Sequence, residues 1–247
     1  MADETQILKN RLKELSSRAQ NRGIYMYSDF LNMHEQAVLF DTVKYGYTLI
    51  GGFPEAERKI ACFGDENDMG YPPSPPIVIL CIEPLSAKFS DNLTHRDFLG
   101  SLTGLGIKRE TLGDIIITDN KGYLFCLENI APYIIDNLTK VRHTSVSCGI
   151  CNKLPENILP EPTPKIIIVA SLRADSVISA VYNISRSKSS ALIDGEKVFI
   201  NGRLTTNSSH PVKENDIVSV RSYGRFRFKE ISGDTRKGRL RIICEIY

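Results

Sequence analysis

The sequence predicts an α+β protein in three parts, and three observations carry that prediction. Apolar residues at helical spacing near the N-terminus give way to short alternating runs. The middle of the chain repeats strand and helix patterns in the order strand–helix–strand–strand–helix–strand. The C-terminal third has a charge of its own: residues 165–247 hold 15 Lys and Arg against 8 Asp and Glu, a net of +7. Out of totals of 31 and 29, the other 164 residues therefore keep 16 and 21, a net of −5. A basic end on a mildly acidic body suits a polyanionic partner.

At 247 residues and 42% hydrophobic, the chain is long enough for two or three small cores. No apolar run approaches the roughly 20 residues that cross a bilayer, and the charged start, MADETQILKNRLKELSS, has no apolar signal core. Six cysteines sit mostly in apolar strand-like runs, as expected of reduced, buried thiols in the cytoplasm.

Residues 1–75 form the first part. Leu8, Leu12, Leu15 and Ala19 lie on one stripe of a helix over residues 5–20, which is expected to pack on the next helix rather than on a membrane. Asn32 and Glu35 have capping-box spacing and start a second helix through about Lys44, burying Ala37, Val38 and Phe40. Residues 47–50 and 59–63 read as strands. The run GDENDMGYPPSPP, with its prolines, reads as a loop and only a soft boundary, which leaves open whether the small strands before it join the sheet that follows.

Residues 76–152 form the second part. Residues 77–82 read as strand, 94–105 as a helix opened by Thr94 and Asp97, 114–118 and 123–127 as strands around a turn at residues 120–122, 128–138 as helix and 141–150 as strand. This is the split βαβ, ferredoxin-like arrangement shared by RNA-recognition-motif domains. Residues 122–127 hold two aromatics but lack the basic, glycine-spaced pattern of a base-stacking strand. His95 and Asp97 are explained by a polar helix start better than by acid–base chemistry, and Gly100 and Gly106 lie late in a helix, where no phosphate loop forms. Exposed Arg96, Lys108 and Arg109 are a possible secondary contact with RNA or protein. Cys148 and Cys151 make a lone CxxC that is read as strand-end packing, so no metal or cofactor is expected.

A proline-rich linker over residues 153–164 leads to the third part, 165–247. A Leu-Arg-x-Asp opening feeds one helix, and a Ser-Arg-Ser junction feeds a second that ends at a glycine. Asn201-Gly202 then turns a hairpin, and a Lys-Glu-Asn-Asp turn leads to a strand ending at Arg221. Ser185 is placed to cap the second helix, with Arg186 and Lys188 in its first turn. Cations weaken their own helix terminus there, a position that makes sense if a phosphate binds. Arg173, Arg186, Lys188, Lys197, Arg203 and Arg221 are expected on one face of the helices and hairpin. Arg225, Arg227 and Lys229 alternate with Phe226 and Phe228, and after a turn at Gly233-Asp234 Arg239 and Arg241 alternate with apolar residues. Tyr223 is placed either to stack on an exposed base or to cover the hairpin.

This order resembles the S-four RNA-binding domain. Together with LTHRDFLGSLTGLGIKRETLGDIII (residues 93–117) and GGFPEAERK (residues 51–59), nearly the whole chain resembles the YlmH family of bacterial S-four proteins. The resemblance implies association with large-subunit ribosomal RNA and tRNA, and a part in ribosome-associated quality control, where stalled nascent chains receive a C-terminal tail. Other quality-control factors are expected as partners of a monomeric, membrane-free, non-enzymatic protein. Its RNA contacts map to Arg173, Ser185, Arg186, Ser187 and Lys188. Asn215 stands where that domain usually has Gly, and Asn tolerates left-handed backbone. An RNA-modifying enzyme or accessory, and an adaptor in cell division, are the alternatives.

Overall fold

The computed structural model describes residues 2–247 except Ala87, Phe89, Glu156, Asn157, Leu159, Pro160, Glu161 and Lys237. The chain divides into two units, residues 1–159 and 160–247.

The first unit opens with α1 (Ala2–Arg22), β1 (Met26–Tyr27), α2 (Met33–Thr42), β2 (Tyr47–Ile50), β3 (Ile60–Phe63) and the one-turn α3 (Glu66–Met69). The stripe of α1 is buried at Leu12, Leu15 and Ala19 and packs with Leu39 of α2 and Phe63 of β3. Burying each leucine contributes about 1.5–3 kcal/mol. Asn32 Oδ1 accepts from the Glu35 N–H, and Glu35 Oε2 accepts from the Asn32 N–H, so α2 carries the full capping box. The register of α2 differs from expectation at Phe40, which is exposed while Gln36 and Leu39 are buried. The Gln36 amide donates to the Leu31 and Glu57 carbonyls, so a polar side chain on the inner face is satisfied.

β4 (Ile77–Pro84), α4 (His95–Gly104), β5 (Leu112–Thr118), β6 (Lys121–Leu127), α5 (Ala131–Asn137), β7 (Lys140–Val141) and β8 (Thr144–Cys151) follow. Their antiparallel sheet has the order β5-β6-β4-β8-β7, and its first four strands give the ferredoxin-like arrangement. The turn expected at residues 120–122 lies one residue earlier. Asp119 and Asn120 have φ of 48° and 62° and join Thr118 to Lys121, the two-residue loop that suits strand twist. The last expected strand is split by a second such turn at Arg142 (φ 53°) and His143. Leu80, Ile82, Leu124 and Cys126 face α4 and α5.

The other face of this sheet is covered in part by the N-terminal region. Phe125 is fully buried with Phe30 and Ile60. Its ring lies 5.0 Å from that of Phe53. A Cβ on Gly52 (φ 92°) would meet Phe125 at 2.4 Å, so only glycine lets this backbone lie against the ring. The buried Arg58 guanidinium locks the seam by donating to the carbonyls of Leu112, Phe30 and Arg109. Asp114 accepts from the N–H groups of Glu57 and Arg58.

The second unit comprises β9 (Thr163–Val169), α6 (Ala174–Tyr182), α7 (Arg186–Asp194), β10 (Val198–Ile200), β11 (Arg203–Leu204), β12 (Ile217–Val220), β13 (Gly224–Asp234) and β14 (Leu240–Ile246). The linker expected over 153–164 falls partly outside the described residues, and Thr163 and Pro164 already belong to β9. One antiparallel sheet runs β11-β10-β12-β13-β14-β9. Val198, Val218, Val220, Phe226, Phe228, Ile242 and Cys244 bury one face against Val177, Ile178 and Ile193 of the helices. Asn201 (φ 50°) and Gly202 (φ 74°) form the hairpin turn, and Asn215 has φ 70°. Gly233 and Asp234, expected to turn, instead continue β13; the chain reverses beyond them, where the Thr235 N–H donates to the Arg239 carbonyl. Two bulges in β13 break the alternation there, which is why spacing alone misplaced the turn. Among the described residues no helix is long and apolar enough to cross a membrane.

Candidate nucleic-acid interface

The joint between α6 and α7 gathers cations around one carboxylate. Arg173 is the N-cap residue of α6, and the N–H groups of Ala174 and Val212 donate to His210 and Leu172, tying this start to a neighbouring loop. Asp175, one residue inside the helix, is buried. It accepts from Arg173 Nε and Nη2, each at 3.1 Å, and from Arg186 Nη2 at 2.7 Å. Burial pushes the Asp175 carboxyl up, but the two guanidinium partners outweigh it and hold the group below the usual carboxylate range. The arginines remain exposed, with side-chain exposures of 40% and 58%. Asp175 thus works as an anchor that fixes two outward cations.

Left-handed Asn183 (φ 53°) ends α6 and turns the chain into α7. Ser185 Oγ accepts from the Lys188 N–H at 3.2 Å and lies 3.0 Å from Ser187 Oγ. Lys188 Nζ sits 5.7 Å over the Tyr223 ring, which packs 5.3 Å from Tyr182. One patch therefore holds Arg173, Ser185, Arg186, Ser187, Lys188 and Tyr223. Spacing alone did not identify Asp175 as its organiser; the Leu-Arg-x-Asp motif was the available signal.

The remaining cations divide. Lys197 and Arg203 are exposed beside the hairpin, and Arg221 donates its N–H to Lys197 and lies 5.2 Å over Phe199. Arg225 pairs in register with Ser219, and Arg227 with Ile217 and Glu245. Alternation places Arg225 and Arg227 opposite Phe226 and Phe228, on the sheet face turned away from α6 and α7. There Arg225 and Arg227 lie 4.8 and 5.8 Å over the Tyr247 ring, and Glu245 pairs with Arg227 and Lys229. The second unit presents two cationic faces where the sequence predicts a single one.

In the first unit, Arg109 Nη1 donates to the carbonyls of Leu112 and Gly113, so its side chain stiffens the start of β5. Lys108 is exposed one residue before it, and Arg96 is exposed on α4. Asp97 accepts from the Thr94 N–H and hydroxyl, the helix-start role read from the sequence. Cys148 pairs with Ile82 on the helix side, whereas Cys151 pairs with Ile79 on the other side. Residues three apart on a strand face opposite ways, which is the physical reason this CxxC cannot pinch one ion. Burial pushes the Cys148 thiol up to about 12, while the Cys151 thiol donates to the Lys153 carbonyl.

The chain is similar to known proteins. The family model described as "Putative RNA-binding domain in YlmH" matches residues 77–153, and the S4 domain model matches residues 172–218. The chain is 29% identical over 228 residues to "Ribosome-associated protein quality control protein P2" of Bacillus subtilis, covering 88% of this chain and 86% of that protein. A solved structure, "Cell division protein ylmH from Streptococcus pneumoniae", superposes with a TM-score of 0.48 at 22% identity, over 60% of this chain and 91% of that one.

Proposed function

We propose that this chain, whose residues 77–153 and 172–218 match the YlmH RNA-binding and S4 domain models, is a YlmH-like, non-enzymatic RNA-binding protein of ribosome-associated quality control. The protein binds the large ribosomal subunit, contacts its ribosomal RNA and a tRNA, and supports C-terminal tailing of stalled nascent chains together with other quality-control factors. The Asp175-centred clamp carries this reading. It presents Arg173 and Arg186 rigidly beside the capped N-terminus of α7, an arrangement suited to phosphate groups. Contacts of that kind recognise backbone and shape rather than base sequence.

Two cationic faces on opposite sides of one sheet suit a factor seated between two RNA segments. One face takes ribosomal RNA and the other the tRNA. Asp175 is the motif's own acid, and a carboxylate gripped by two guanidinium groups is a weak base and a weak nucleophile.

Co-sedimentation with isolated large subunits tests the assignment. Full-length protein carrying Arg186→Gln and Lys188→Glu should leave the pellet while it remains folded at the assay temperature, with Arg173 still holding Asp175. Unchanged pelleting would sink the mapping.

A further inference from the structure

We infer that the groove between α4 and the α5–β7 segment is a second RNA-backbone site, reached from the helix side of the middle sheet. The inference rests on the RNA-binding reading above and assigns a surface that the S-four unit does not supply.

Folds of this order commonly stack bases on the open face of the sheet. Here a large part of that face is closed by the chain's own N-terminal region. Phe125, the aromatic best placed on the central strand, is fully buried beneath Phe30 and Phe53. A Cβ on Gly113 would meet the Phe30 ring at 2.7 Å, so strand and cover are in direct contact. Base stacking on Phe125 would require that hydrophobic seam to open.

The helix side offers different chemistry. A groove of about 470 Å³ is lined by Arg96, Ser101, Asn137, Thr139, Lys140 and Arg142, among others. Its lining has three cations and one acid, Asp97, a net of +2. That acid is already occupied: it accepts from the Thr94 N–H and hydroxyl and lies 3.6 Å from Arg142. The Thr94 bonds, the larger cause, hold Asp97 below the usual carboxylate range, so it stays ionised and orients Arg142. Arg142 itself sits in a two-residue turn at φ 53°, which fixes its backbone on the rim. Arg96 and Lys140 are exposed. Amide and hydroxyl groups between the cations can bond sugar and phosphate oxygens. The groove therefore offers a phosphodiester chain both charge and hydrogen-bond partners.

The test uses full-length protein in two backgrounds, the parent and one with the S-four patch neutralised (Arg186→Gln, Lys188→Gln). In each, Arg96→Ala, Lys140→Ala and Arg142→Asn are introduced together; Asn keeps the left-handed turn. Binding to a fluorescent 20-nucleotide single-stranded RNA is measured across a salt series. The groove variant should bind on the order of tenfold more weakly in both backgrounds, and three lost phosphate contacts should reduce the salt slope by about 2. Equal affinity and slope with and without the groove changes would overturn the inference, as would ultraviolet crosslinks absent from 96–101 and 137–142. Failure of the S-four substitutions to affect subunit pelleting would instead overturn the earlier assignment, leaving the groove measurement readable by itself.

Discussion

Arg186 reaches back across the α6–α7 joint to Asp175, with Nη2 2.7 Å from Oδ2, while Arg173 bonds both oxygens of the same carboxylate. A single buried acid thereby determines where two surface cations stand.

Replacing Asp175 with Asn removes the charge that both arginines share. The loss of charge-assisted bonds should destabilise the S-four unit by about 1.5–3 kcal/mol. RNA affinity should fall despite the gain in net positive charge, because the arginines lose their fixed positions. Thermal unfolding and RNA titration of the same variant check both statements; tighter RNA binding would show that charge outweighs placement.

The same pair gives a pH dependence. The folded Asp175 carboxyl titrates below its unfolded value of 3.8. A depressed folded value means that this contribution is complete above about pH 4 and is lost as pH falls through the folded value. Unfolding of residues 160–247 followed in acid should show this loss in the parent and not in Asp175→Asn.

Asn215 occupies left-handed backbone at φ 70°, with its N–H donating to the Phe228 carbonyl. Asn215→Ala should cost about 1–2 kcal/mol, whereas Asn215→Gly should be neutral or mildly stabilising. Chemical denaturation of the two variants decides this. Equal costs would mean the Asn side chain, not the backbone angle, matters.

The seam over the middle sheet depends on Gly52 and Phe125. Phe125→Ala should destabilise the first unit by about 3–5 kcal/mol. Gly52→Ala should also destabilise it, through contact at 2.4 Å and a left-handed φ of 92°. Hydrogen exchange should show protection lost first in β2 and β3. Unaltered protection there would refute the proposed packing.

Cys148 should resist alkylation in the folded protein at pH 8, since burial keeps it a thiol with a value raised to about 12. Cys151 should react faster. Mass spectrometry after brief iodoacetamide exposure separates the two, and equal labelling would contradict their placement on opposite faces of β8.

Local signals made much of this legible. Asn32 with Glu35, Ser185, Asn201-Gly202 and the position of Asn215 each act through nearest-neighbour chemistry, and each adopts the geometry its sequence specifies. Bulges were not legible: the alternation in β13 reads as unbroken until the register shows its shifts, so Gly233 and Asp234 were misread as a turn. Phe40 follows the same logic. Its spacing fits a buried stripe, but the stripe that packs is the one through Gln36 and Leu39.

By itself the sequence determined the order of elements, the ferredoxin-like middle, the S-four helices and the basic C-terminal charge. All of these rest on short-range periodicity, capping and composition. Tertiary structure alone decided that Asp175 joins two arginines, that the cations of the second unit fall on two faces, and that Phe125 is covered by the chain's own N-terminal region. The reason is physical: period-two and period-3.6 patterns say which residues share a face, but not what that face meets. That partner is chosen by packing between residues far apart in the chain.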